Sequence, residues 1–146
     1  QFYLNLDADL RFRRFGAAVP DRTIANHCHS IDWERSLVIA SGGPLTIQAV
    51  VEIHPISPDW RHVELDAVCP LQCDRHAFYE QLLLDALTLA KTLGCIEVSI
   101  VRDGFDPAAL SVLRRMGHFR MQDGVATIEL PSRPSIVRVG LRLGAG

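Results

Sequence analysis

The chain has 146 residues, 48% hydrophobic and 22% charged, with a formal net charge of −2. That size suits one domain with one core, and the composition excludes a disordered, collagen-like or repeat protein. The near-neutral charge sets up no field toward nucleic acid or anionic lipid, and no apolar run approaches the roughly 20 residues of a membrane span.

The chain opens on Gln1 rather than Met, so an upstream segment is expected. Cys28, Cys69, Cys73 and Cys95 form no CxxC pair and read as reduced, mostly buried thiols of a cytoplasmic protein. In chain order, residues 9–15 (DLRFRRF) mix aromatic and basic side chains over a short helical stretch. Asp21 after Pro20 reads as the N-cap of a helix to about His29. Strands Ser36–Ser41 and Leu45–His54, joined by Gly42-Gly43-Pro44, read as an antiparallel hairpin. A third strand is expected at His62–Cys69 after the loop with Pro55 and Pro58.

The grammar then changes to helical. Over Ala77–Leu93, residues Leu82, Leu83, Ala86, Leu87, Ala90 and Leu93 form a broad apolar stripe, closed by Gly94. A strand at Cys95–Val101 follows, and Pro107 behind an Asp106 cap starts a helix to about Met116, ended by Gly117. Segments His118–Met121 and Val125–Leu130 form a hairpin around Asp123-Gly124. The tail 131–146 is basic and glycine-rich, and its apolar stretch Ile136–Leu143 is a candidate edge strand, in this domain or in a homodimer. The one strand–helix–strand unit demands a parallel crossover, while the rest can be antiparallel. The expectation is an α/β (α+β) domain over residues 1–130, a mixed sheet of six to seven strands with helices on both faces.

Specific motifs now enter. Leu10-Arg11-Phe12-Arg13-Arg14-Phe15 and Ile31-Asp32-Trp33-Glu34-Arg35-Ser36-Leu37-Val38-Ile39-Ala40 resemble segments of bacterial protein-acetyltransferase-like domains of the GNAT superfamily of N-acetyltransferases. The resemblance runs over residues 9–130. Met116-Gly117-His118-Phe119 is similar to that family's "LGF" helix end, and Glu64 falls on its strand glutamate. The resemblance implies the GNAT fold, acetyl-coenzyme A as acyl donor, and an amine acceptor, either a small molecule or a protein lysine. It implies Glu64 as general base, with main-chain N–H groups in Ala67, Val68 and Cys69 polarising the thioester carbonyl.

The family's phosphate loop, Gln/Arg-x-x-Gly-x-Gly/Ala, aligns with Asp74-Arg75-His76-Ala77-Phe78-Tyr79, where an acid replaces the first residue and Ala and Tyr replace the glycines. Asp74 puts negative charge where a diphosphate would sit, Arg75 and His76 supply cationic donors, and Tyr79 brings a ring where family members carry almost none. Asp106 stands for the family's Asn, and Leu113 for the Tyr often named its general acid. Two readings stay open. In one, coenzyme A binds through the backbone with Arg75 and His76 helping; in the other, the loop has lost its ligand, Tyr79 packs into the vacated groove, and the domain is a non-catalytic sensing or interaction module.

Residue chemistry adds further candidates. Asp66 shares a strand face with Glu64, and the two carboxylates together raise one pKa. Glu64 reads equally as a surface carboxylate at the strand's entry. His27 and His29 lie on different helix faces and read as no metal site. His54 and His62 flank a loop and are candidates for an acceptor cleft. Trp33 and Trp60 read as core or groove-wall aromatics, and Arg11, Arg13 and Arg14 as a solvated or ion-paired face rather than a nucleic-acid patch.

Overall fold

The computed structural model describes residues 1–43, 46–69, 75–101, 107–116 and 119–130. Expectations for Pro44, Cys73, Asp74, Asp106, Gly117, His118 and the tail 131–146 lie outside those residues. A 3-10 turn, Tyr3–Asn5, leads into α1 (Ala8–Phe15) and α2 (Asp21–Ser30). Then come β1 (Leu37–Gly43), β2 (Thr46–Pro55), β3 (His62–Val68), α3 (Arg75–Thr92), β4 (Glu97–Val101), α4 (Pro107–Met116), β5 (Phe119–Gln122) and β6 (Val125–Glu129). The strands form one sheet in the order β1-β2-β3-β4-β6-β5. Only β3 and β4 run parallel, as the crossover through α3 requires; every other pair is antiparallel.

Alternation along β2 and β3 assigns the two faces. Ala49, Val51 and Ile53 with Val63, Leu65 and Ala67 pack under α3 and α4, in one core with Leu82, Leu83, Ala86, Ala90, Val112 and Leu113. Val50 and Val68 face the other way, into a smaller core with Tyr3, Leu6, Leu10 and Ile24. The stripe on α3 holds as expected, apart from Leu93, which is exposed at the helix end past the last turn that reaches the sheet. Tyr79 sits three and four residues before Leu82 and Leu83, extends that stripe by a turn, and is buried to 1% exposure.

Local chemistry sets the helix ends. The Asp7 side chain accepts from the Leu10 N–H at 2.9 Å, and Gly16, at φ 71°, takes the left-handed conformation that closes α1. Pro20, rather than Asp21, is the N-cap of α2; Asp21 lies within the first turn and pairs with Arg11 at 2.7 Å. The same guanidinium donates to the carbonyls of Leu4, Leu6 and Val19, which ties the N-terminal turn and the α1–α2 loop to α1. At the β5–β6 turn Asp123 and Gly124 have φ of 50° and 80°, the paired positive values of a type I′ hairpin.

The β1–β2 register shifts between Ser41 and Gly42, and Gly42 has φ 146°. A Cβ there would run into the Thr46 carbonyl oxygen, so glycine is required at this bulge. Gly42→Ala is expected to lower stability by about 1–3 kcal/mol in urea unfolding, the usual loss where an L side chain is forced into such a conformation. An unchanged midpoint would refute the account.

Candidate active site

The second sheet face carries a cluster of charge that apolar patterning hides. On α1, Arg14 falls four residues after Leu10, the buried residue of that helix, and so shares its inward stripe. On β2, Glu52 alternates with Val50 and His54 and is buried to 1% exposure. On β3, Asp66 stands directly opposite Glu52 in the antiparallel register. The Arg14 guanidinium joins them, with Nη2 2.8 Å from Glu52 Oε2 and Nη1 2.6 Å from Asp66 Oδ2. The Tyr3 hydroxyl donates to the other Glu52 oxygen.

Two histidines continue the cluster outward. His27 lies three residues after the buried Ile24 on α2, and its Nε2 is 3.1 Å from Arg14 Nη2 and 3.6 Å from Glu52. Phe15 stacks edge-on against His27 and under Arg14, the guanidinium 5.1 Å from its ring centre. His54 Nε2 is 2.9 Å from Glu52 Oε2, and His54 Nδ1 is 3.0 Å from Ser36 Oγ. Beyond them opens a pocket of about 340 Å3, lined by His27, Asp32, Arg35, Ser36, His54 and Pro55 among others.

One guanidinium serves two carboxylates, so their proton affinities diverge. Burial works against the Glu52 charge, yet its polar neighbours His27 and His54, with Arg14 and the Tyr3 hydroxyl, outweigh it and hold the pKa well below the usual carboxylate range. Burial pushes the Asp66 carboxyl up to about 6; Glu52 and Glu64 add to the rise and Arg14 opposes it. Among the described residues the buried Asp66 Oδ1 and Arg14 Nε atoms find no hydrogen-bond partner, which marks this side of the cluster as the less satisfied one. Burial also lowers the Arg14 pKa, but Asp66 and Glu52 more than restore it.

The sequence-derived candidates fall in three places. Glu64 is half-buried on β3, opposite His54 and on the face it shares with Asp66. Asp66 is not a free acid beside it but the partner of Arg14. Ala67 and Cys69 are buried toward α3, and Val68 toward α1 and α2. Arg75 opens α3; His76 and Ala77 are exposed, Phe78 is half-buried and Tyr79 is in the main core. The Tyr79 ring is thus directed by the helical period into the sheet–helix interface, apart from the exposed first-turn residues.

Leu113 is buried in the same core. His54 lines the pocket, as expected of a cleft residue, whereas Trp33 is 61% exposed, because the turn after Asp32 carries it away from both cores. Arg14, Glu52, His27 and Ser36 were not singled out as site residues by sequence. The usable signals were helical spacing for the first and third, and a lone acid inside the apolar run Ala49–Ile53 for the second.

The sheet itself supplies a second feature. Parallel pairing joins only His62, Val63 and Glu64 to Glu97, Val98 and Ser99. Past Glu64, β3 keeps β2 as its neighbour to Val68, while β4 keeps β6, so the two strands part. The Arg61 carbonyl accepts from Ile96 and Glu97, and by strand alternation the Ala67 main chain faces the same side, toward the opening.

No protein-family model matches the chain, and no curated protein aligns with it significantly. Solved structures do match. The GNAT domain of PAT from S. lividans superposes with a TM-score of 0.68 at 14% identity, over 88% of this chain and 81% of that one. Spermidine N-acetyltransferase from Vibrio cholerae, in complex with CoA and spermine, gives 0.65 at 14% identity, over 88% and 85%. The aminoglycoside 6'-N-acetyltransferase from Enterococcus faecium gives 0.62 at 10% identity, over 90% and 91%. The chain has the GNAT fold.

Two outcomes check the charge cluster. Arg14→Met leaves two carboxylates buried without a cation and is expected to cost about 3–5 kcal/mol in chemical denaturation, the usual penalty for breaking one side of a buried pair. The second concerns pH. An acid whose folded pKa is raised binds more protons folded than unfolded between the two values, so its contribution to stability falls as pH rises through that window. Asp66→Asn removes this term and leaves the rest of the titration in place. Its stability relative to the parent is expected to rise by about 3 kcal/mol between pH 4 and pH 7, for a shift of about two units. A pH-independent difference would exclude the raised Asp66 pKa.

Proposed function

We propose that the protein is an acetyl-coenzyme A-dependent N-acetyltransferase that transfers the acetyl group to a primary amine. The observation that carries this reading is the parting of β3 from β4 beyond Glu64 and Ser99, beside a carboxylate on the acceptor face. An extended thioester arm needs main-chain partners in its own direction, and a gap between two parallel strands offers them. Acetyl-coenzyme A, when bound, supplies the acetyl thioester.

The residues present fit that substrate. The Ala67 main chain faces the gap and is placed to donate to the thioester carbonyl, with Val68 and Cys69 continuing the strand's end. The first turn of α3 carries no acidic side chain, and its exposed residues His76 and Ala77 suit a helix N-terminus that receives an anion. Arg75 and Phe78 belong to the same turn. Tyr79 is turned into the main core, away from the exposed residues of that first turn. Asp74 and Asp106 complete the expected cofactor set from outside the described residues.

On the acceptor side, the pocket at His54, Ser36 and Asp32 takes the amine. Glu64, across the register from His54 and at the last rung before the gap, acts as the base that removes the ammonium proton. Two buried carboxylates sharing one guanidinium leave the surroundings net negative, which favours a cationic amine, on a small molecule or a protein lysine.

Binding is checked by thermal shift. Acetyl-coenzyme A at 100 times its Kd should add about 2.7 kcal/mol of stability, and no shift at millimolar concentration would remove the enzyme reading. With a polyamine or lysine-peptide acceptor, Glu64→Gln is expected to cut kcat about 100-fold while the cofactor shift persists. Undiminished turnover would take the base role from Glu64.

A further inference from the structure

We propose that Ser36 is an activated nucleophile that accepts an acyl group from small carboxylic esters, with His54 as its base and Glu52 holding the imidazole. The three side chains form a continuous chain: Ser36 Oγ lies 3.0 Å from His54 Nδ1, and His54 Nε2 lies 2.9 Å from Glu52 Oε2. Their placement follows from the sheet. Glu52 and His54 are two residues apart on one face of β2, and Ser36 directly precedes Leu37, which pairs with Ile53.

The proposed role sets the directions of the hydrogen bonds. Glu52 accepts, so the His54 tautomer that serves as a base donates to it from Nε2 and keeps a lone pair on Nδ1. That lone pair faces the Ser36 hydroxyl, which donates. Tyr3 and Arg14 hold Glu52 through both its oxygens, so the carboxylate cannot swing away from His54. A hydroxyl aligned on an imidazole that is itself anchored by a buried carboxylate is the arrangement that makes serine nucleophilic.

The surroundings choose the substrate. Ser36 and His54 both line the pocket, whose volume of about 340 Å3 sits at the small end for ligand sites. Arg35, adjacent in sequence to the nucleophile, lines the same pocket and is the permanent cation available there for a developing oxyanion. In the acylation step the Oγ–C bond forms as the hydroxyl proton passes to His54 Nδ1. The C–O bond to the alcohol then breaks, and the alcohol departs with that proton. Water attacks the acyl-serine, gives a proton to Nδ1, and releases the carboxylic acid as Ser36 recovers its hydrogen.

The test needs neither coenzyme A nor an amine. The intact protein is treated with an alkyl fluorophosphonate, the adduct is located by peptide mass spectrometry, and p-nitrophenyl acetate hydrolysis is followed in parallel. The expected result is an adduct on Ser36, absent in Ser36→Ala, with ester hydrolysis lost about 100-fold in that variant. His54→Gln, which keeps a donor toward Glu52, is expected to slow labelling about 100-fold with an unchanged melting temperature. No adduct on Ser36 in the parent protein overturns the proposal. So does labelling of His54→Gln at the parent rate, because Ser36 would then be no more than an anchor between β1 and β2.

Discussion

The structure depends on a single guanidinium placed between two carboxylates that face each other across neighbouring strands. Arg14 reaches from α1 to Glu52 on β2 and Asp66 on β3, and, largely removed from solvent, the three charges need one another. Without the arginine, the paired register of β2 and β3 would set two anions side by side in an apolar layer. With it, α1 must lie where it does, and Tyr3 and His27 are drawn into the same network. The apolar contacts of Leu6, Leu10 and Ile24 then supply area around a geometry that the charges dictate.

That geometry also explains why the cluster divides into unlike acids. Glu52 collects four polar neighbours that hold its pKa well below the usual carboxylate range, whereas burial raises that of Asp66, one of whose oxygens finds no partner among the described residues. Two carboxylates facing each other across neighbouring strands thus acquire different chemistry from what touches them. Divergent acids beside a pocket are a common signature of sites that handle protons.

Much of the fold was legible in the residues. The long stripe from Leu82 to Ala90 specified α3, the Asp123-Gly124 pair specified a hairpin, and the single strand–helix–strand unit specified where the sheet turns parallel. The site was less so, for a physical reason. Periodicity reports apolar faces, and Arg14, Glu52 and Asp66 are buried charges that satisfy each other only across three elements distant in sequence. Read singly, Arg14 looks like one more basic residue beside Arg11 and Arg13, and those two do bind surface acids, Asp21 and Asp9. Glu64 was nominated through resemblance and Asp66 through the two-residue period, but the partner that ties Asp66 down lay outside any local pattern. Trp33 shows the converse, a large apolar side chain that composition alone would bury and that a turn leaves in solvent.

The sheet has a seam. Three parallel rungs between β3 and β4 hold together two antiparallel leaves, β1-β2-β3 and β4-β6-β5, each knit by longer ladders. Such a join resembles the spine of a book: the leaves keep their shape while the angle between them is governed by a few hydrogen bonds and by the helices laid across the back. A wedge entering from the unpaired end therefore works against the smallest number of bonds anywhere in the sheet.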